Sequence, residues 1–255
     1  GFLNLTIASA TWIELLNDSS VFTGSSLKIV KRLKDYGGAA TCKQLSVKYG
    51  ENPNFYNNGS QSLAKRIAEK TGCPVMIRDT ENSRWWPILY VGKEADSSTD
   101  GVYIWKLRDE LSEALEKVDL SDIPLYVDDT PAIWKISHGS ISERNRSIFE
   151  DRKVAVVHST TKAKAVSKVS QGESFMDSIK KGDYFYLCYG NSIRILGQFT
   201  TDKPVLNPEM EDGWYERSYC VIAESKDTSA YKGVQKWWSP NDNSTCIRVD
   251  NDDQK

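Results

Sequence analysis

Period-two hydrophobicity is densest between Ser178 and Phe199. Apolar side chains fill Tyr184-Phe185-Tyr186-Leu187-Cys188-Tyr189 and alternate again through Ile193-Arg194-Ile195-Leu196-Gly197-Gln198-Phe199, with Gly190-Asn191-Ser192 between the two runs. Alternation on both sides of a short Gly/Asn turn predicts a β-hairpin. Lys180-Lys181-Gly182-Asp183 just before it predicts a tight turn, since Gly accepts positive φ and Asp bonds nearby backbone. The surrounding pattern is also β-rich. Strands are expected at Ala132 to Ser137, Val154 to His158, Tyr215 to Glu224, Gly233 to Trp238 and Cys246 to Val249. A polar loop is expected from His138 to Ser147, a lysine-rich polar stretch from Ser159 to Ser170, and a short helix from Glu173 to Ile179. This pattern predicts a small curved or closed sheet.

The first half has helical spacing instead. Trp12 to Leu16 predicts a short helix, and Leu27 to Lys34 a second, capped by Ser25 or Ser26 and stopped at Gly37-Gly38. Thr41 caps a third, Cys42 to Tyr49, closed by Gly50. Glu51 to Gly59 reads as a polar turn, and Leu63 to Thr71 as a helix capped by Ser60 or Ser62. Two strands follow, Arg84 to Val91 and Val102 to Trp105, and then a helix from Leu107 to Val118 with Leu107, Leu111 and Leu115 on one face. Helices followed by a two-stranded ribbon is the order of a winged helix. The helix before the ribbon would then face a duplex with Gln61, Ser62, Lys65 and Arg66, joined by Arg84 of the ribbon. The plainer alternative is a solvated helix surface. Asp119 to Pro124 and Asp128 to Pro131 form an acidic, Pro-marked junction. The expected fold class is therefore α+β, with a winged-helix-like module over 1–123 and a β-rich domain over 131–250.

Composition narrows the functions. At 255 residues the chain can hold two modest domains, each with a core. A net charge of -2 excludes a globally basic nucleic-acid binder and leaves room for a local basic face. Cys42, Cys73, Cys188, Cys220 and Cys246 are widely spaced without a CxxC pair, which points to reduced thiols and no zinc site. No apolar run approaches the ~20 residues of a membrane span. Gly1 to Leu5 has neither a charged n-region nor an initiator Met, and reads as a processed or trimmed start; a cytoplasmic protein is expected. There is no GxSxG, HExxH or GxxxxGK[ST], so this chain is expected to be no enzyme and to need neither metal nor cofactor. Ser137 and His138 are adjacent on a strand and point to opposite faces, which argues against a hydrolase built from the pair. His158 ends a buried strand and reads as structural, whereas His138 lies at a strand exit, where loops carry function.

Eight Trp and twelve Tyr are many for a chain of mean hydropathy -0.51. Trp134, Tyr184, Tyr186, Tyr189, Trp214, Tyr215, Trp237 and Trp238 all fall in the second half. Of these, Trp134, Tyr186 and one of the tandem Trp237-Trp238 are expected in the core. Aromatic faces can also hold a flat base at roughly 1–3 kcal/mol each.

The residues Phe149-Glu150, Ile179 to Tyr186, Ile195 to Phe199 and Trp214-Tyr215-Glu216-Arg217, with the opening strand Ile133 to Ser137, together resemble the EVE/YTH branch of the PUA-like superfamily over Pro131 to Val249. In the first half, Gly37 to Leu45, Asn54 to Asn57, Thr71 to Pro74 and Asn82 to Pro87 resemble a module in the non-motor part of McrB-like AAA+ proteins of McrBC-type, modification-dependent restriction systems. That resemblance implies a recognition region for double-stranded DNA that flips a modified, methylated base into an aromatic pocket. An AAA+ GTPase motor and a nuclease subunit would lie outside this chain, and no membrane is involved. On this reading Ser137 and His138 contact the base edge, Tyr189, Trp214 and Trp238 stack, and Arg144, Arg146 and Lys162 neutralise phosphates. A reader of modified RNA, and an adaptor for a small molecule or protein, are the alternatives.

Overall fold

The structure is a computed structural model that describes residues 3–77, 83–94, 103–139, 142–163, 169–229 and 244–249. It is a mixed α+β chain that divides into two compact units, Gly1–Asp128 and Asp129–Lys255.

The first unit runs α1 (Ser9–Leu16), α2 (Gly24–Asp35), β1 (Ala39–Ala40), α3 (Cys42–Tyr49), α4 (Pro53–Thr71), β2 (Met76–Ile77), β3 (Ser83–Arg84), β4 (Tyr90–Glu94), β5 (Tyr103–Leu107) and α5 (Asp109–Glu116). The β1, β5 and β4 strands form an antiparallel sheet in that order. Trp12, Ile29, Leu33, Leu45, Leu63, Ile67, Leu89 and Leu111 meet in the core beneath it.

Three local expectations change. The α2 helix starts a turn early, because Thr23 Oγ1 accepts from Ser26 N at 3.3 Å and becomes the cap. The expected polar turn at 51–59 is the front half of α4: Asn52 caps it by accepting from Phe55 N at 3.0 Å, and Pro53 occupies the first turn. Gly59 survives inside this helix because any Cβ there would come within 2.5 Å of Ile29 Cδ1. Ser60 is thus no cap; it is buried and shares a 2.8 Å hydrogen bond with the Tyr90 hydroxyl. The expected strand 84–91 is broken by a 3-10 turn at Trp86–Ile88, since Pro87 has no N–H for a ladder. The acidic junction is strapped down: Lys31 Nζ donates to Leu120 O at 2.8 Å and Ile123 O at 2.6 Å, and Arg32 Nε to Leu125 O at 2.7 Å.

The second unit holds β6 (Ile133–His138), α6 (Glu143–Arg146), a π-turn at Ser147–Asp151, β7 (Val154–His158), α7 (Gln171–Glu173) with a second π-turn at Ser174–Ser178, β8 (Tyr184–Tyr189), β9 (Ser192–Phe199), β10 (Val205–Leu206), β11 (Trp214–Glu224) and β12 (Cys246–Arg248). The strands make a curled half-barrel in the order β10-β11-β9-β8-β6-β12, with β7 also on β11. Among the described strands only β6 and β8 pair in parallel, with His138 beside Tyr189 at their carboxyl ends. The predicted hairpin is β8–β9. Its preceding turn is fixed by buried Asp183, which accepts from Ala132 N, Trp134 Nε1 and Lys180 N, each at 3.0 Å, while Gly182 takes φ 92°. Trp134 is in the core as expected, with Phe149, Phe175, Phe185 and Phe199; Tyr186 is half-buried against Cys188 and Val249 on the other face of the sheet. The loop expected at 138–147 contains α6, capped by Ser142 Oγ. The expected strand 233–238, with Trp237 and Trp238, lies outside the described residues.

Candidate functional site

The segment from α6 through the first π-turn, residues 143–151, has one side on each of two groups of polar and aromatic residues. Tyr219 fixes it from below, its buried hydroxyl donating to Phe149 O at 2.7 Å. Extra residues of the π kind recur at functional sites because they turn side chains out of helical register.

The first group is a cleft of about 320 Å³ between this segment and the 207–214 loop. Trp214 forms a wall, Ile148 and Met210 add apolar surface, and Arg144, Asn145, Glu209 and Glu211 supply polar atoms. The loop is shaped by neighbours behind it. Asn207 Nδ2 donates to buried Glu216 at 2.6 Å, and its Oδ1 accepts from Glu209 N at 2.9 Å. Arg152 bridges Glu209 and Glu216, at 2.9 Å to each. Arg144 Nη2 donates to Glu209 O at 2.6 Å. The Trp214 ring meets His158 edge to face at 5.2 Å, and Gly213 lets the two approach, because a Cβ there would come within 2.5 Å of His158 Nε2. His158 is accordingly a packing residue, its Nδ1 within 2.8 Å of Thr160 Oγ1.

The second group surrounds Glu150. One carboxylate oxygen accepts from Arg146 Nε at 2.8 Å and from the Tyr189 hydroxyl at 3.2 Å; the other accepts from Arg194 Nε at 2.8 Å. Arg194 is the extra residue of a β-bulge, since Leu187 pairs with Ile195 while Cys188 pairs with Ile193; such bulges re-aim a side chain. Burial, and then the Glu150 charge, push the Tyr189 phenol well above its ordinary range. The Glu150 hydrogen bond raises Arg194 further. His138 lies flat against Phe149, centroids 3.9 Å apart and 13° between planes, and its buried Nε2 has no hydrogen-bond partner among the described residues. Burial lowers its pKa from 6.5 to about 4, so the ring is neutral at pH 7.

The expected site residues therefore separate. Arg144 and Trp214 share the cleft; Arg146 and Tyr189 share Glu150, with His138 on the adjoining Phe149. Tyr189, expected to stack, is instead tied by its hydroxyl. Ser137 Oγ donates to Gly190 O at 3.3 Å, across the hairpin turn. Lys162 is exposed on the loop after β7, and Trp238 lies outside the described residues. In the first unit Ser62 and Lys65 are exposed and Gln61 half-buried. Lys65 Nζ sits 5.6 Å over the Trp85 ring. Arg66 donates inward, to Val21 O at 2.8 Å and Ser26 Oγ at 2.7 Å, and half-buried Arg84 has its Nε buried without a partner among the described residues. Glu150 falls in a stretch that carries the EVE/YTH resemblance, but nothing in the sequence marked it, Arg194, Asn145 or Met210 as a site residue; the π-turn places Glu150, the bulge Arg194, α6 Asn145 and the 207–214 loop Met210. No family model, curated protein or solved structure matches this chain.

Proposed function

We propose that this chain is a non-enzymatic recognition region that binds double-stranded DNA and holds a flipped, modified base against Trp214. The cleft carries the reading. It offers one indole wall, apolar Ile148 and Met210, and the amide and carboxylates of Asn145, Glu209 and Glu211, in a volume at the small end of ligand pockets, ~300–1,000 Å³. A flat base needs this combination: a π-face to replace stacking, and donors and acceptors at the edge.

The first unit supports a duplex partner. Its order α2, β1, α3, α4, β4, β5, with β1 and β4 flanking β5, is compatible with a winged-helix-like module. On this reading α4 offers Ser62 and Lys65 to the backbone, while Arg66 holds the helix in place. The second unit, with its curled sheet and the parallel β6–β8 pair, suits an EVE/YTH-like, PUA-like domain. A modification-dependent restriction system, with motor and nuclease on other chains or segments, is the setting such a pairing would serve.

The test is anisotropy binding at fixed, near-physiological salt to matched duplexes carrying cytosine, 5-methylcytosine, 5-hydroxymethylcytosine or N6-methyladenine, because phosphate contacts alone bind without selectivity. A preference of about tenfold, ~1.4 kcal/mol, for one modified duplex, lost in Trp214→Ala, supports the reading. Equal affinity for all four removes the base pocket, and binding only to modified RNA replaces the DNA partner.

A further inference from the structure

We infer that Arg146 and Arg194, held by Glu150, form a fork that grips one phosphate of the bound nucleic-acid backbone. This rests on the nucleic-acid reading above. Each guanidinium is fixed through Nε alone, to a separate oxygen of the same carboxylate, at 2.8 Å. Among the described residues neither donates a hydrogen bond from an Nη nitrogen, so four terminal groups remain available on two planar cations flanking one anchor. Their side chains are 53% and 32% exposed, whereas Glu150 is 13% exposed. The anchor is covered and the fork reachable.

The unspent donors favour an anionic ligand. The Glu150 carboxylate and, by its charge, Glu224 on β11 offset the two guanidinium cations, so the terminal N–H groups rather than a surplus of charge would recruit it. A phosphodiester presents two unesterified oxygens, which match the parallel N–H pairs of guanidinium better than an ammonium would. Arg144, on the same short helix, differs: its Nη2 is already spent on Glu209 O at 2.6 Å. Glu150 is a positioning residue. It touches no phosphate, but it fixes the direction of both cations and is itself braced by the Tyr189 hydroxyl at 3.2 Å.

The experiment is a salt titration of duplex binding, from about 50 to about 200 mM, with wild type, Arg146→Ala, Arg194→Ala, the two alanine changes combined, Arg194→Lys and Glu150→Gln, each checked for an intact thermal transition. Changing both arginines to alanine is expected to reduce the slope of log affinity against log salt by about 0.9, the signature of one lost phosphate contact on B-DNA, and each single change to give part of that reduction. Arg194→Lys keeps the charge but cannot both bond Glu150 and present a fork, so affinity falls with the charge count unchanged. Glu150→Gln is the sharpest arm. Removing a negative charge should tighten binding if only charge matters, and the fork predicts weaker binding. Unchanged slopes in both alanine variants, or tighter binding by Glu150→Gln, overturn the fork while leaving the DNA reading standing. If wild type binds no nucleic acid at all, the reading falls and the fork with it.

Discussion

Two arginine sites in the second unit show what the same side chain does in opposite settings. Arg217, on β11, is 1% exposed and spends its whole guanidinium on the backbone: Nε to Phe175 O and Nη1 to Asp202 O, both 2.7 Å, and Nη2 to Met176 O at 2.9 Å. Among the described residues its charge has no hydrogen-bonded carboxylate, and burial lowers its pKa to about 10. Arg146 and Arg194 spend one nitrogen each, on a carboxylate, and keep the rest outside. The first arrangement engages all three guanidinium nitrogens, and two of them fasten the second π-turn to the sheet. The second consumes only enough to fix direction. The number of donors left over distinguishes a structural arginine from one built to bind, and sequence cannot count them.

The hardest attempt to break this contrast is Arg217→Met. Removing the cation strands three carbonyls in or near the core, and hydrogen bonds to a charged group are worth about 1.5–3 kcal/mol each, so a loss of about 3 kcal/mol or more is expected. Chemical denaturation of this variant should show such a loss, whereas a loss below about 1 kcal/mol would mean that the three hydrogen bonds do not hold the π-turn in solution.

Next in size is a pH effect at His138. Its folded pKa of about 4 lies below the ordinary 6.5, so the unfolded state binds more protons in between. Stability is then fully present above about 6.5, falls as pH drops toward 4, and loses nothing further from this group below that. The total is at most on the order of 3 kcal/mol. Comparing wild type with His138→Gln by denaturant titration at several pH values isolates it: the wild-type decline should be steeper. Parallel curves would mean that the ring is solvated and protonates freely.

Third comes Trp214→Ala, which removes the cleft wall and not a core residue. Loss of one stacked base should weaken binding of the preferred modified duplex by about 1–3 kcal/mol. Thermal stability should move much less than in Arg217→Met. If stability collapses instead, the indole is packing that happens to line an opening.

Much of the framework was legible because local chemistry and tertiary demand agree. The β8–β9 hairpin has alternation, a Gly-Asn turn and an Asp that caps its entry, so sequence alone places it. Thr41 does the same for α3, where it forms a full capping box with Gln44. Legibility failed where a long-range contact overruled a local signal. The Asn- and Gly-rich stretch 52–59 looks like a turn, yet Asn52 caps a helix there with Pro53 in its first turn, and Gly59 is kept inside it by the close approach of Ile29. The site was legible by residue type and not by grouping. His138, Arg146, Trp214 and Tyr189 were sensible choices, but a β-bulge at Arg194 and a π-turn at Phe149-Glu150 decide who meets whom. Neither leaves a periodic trace.

The smallest expected effect separates the two arginine sites most finely. Arg194→Met should cost no more than about 1 kcal/mol of stability, because Glu150 keeps Arg146 and the Tyr189 hydroxyl and the pair is partly solvated. Arg146→Met should cost less, since that side chain is more exposed. The double variant should not equal their sum. With both cations gone, Glu150 is a largely covered carboxylate facing one phenol, and the stranded charge adds a penalty neither single change reveals. A thermodynamic cycle should therefore return a destabilising coupling of about 0.5 kcal/mol or more. Additive losses would mean that the two arginines do not share Glu150 in solution, and the fork would lose its anchor.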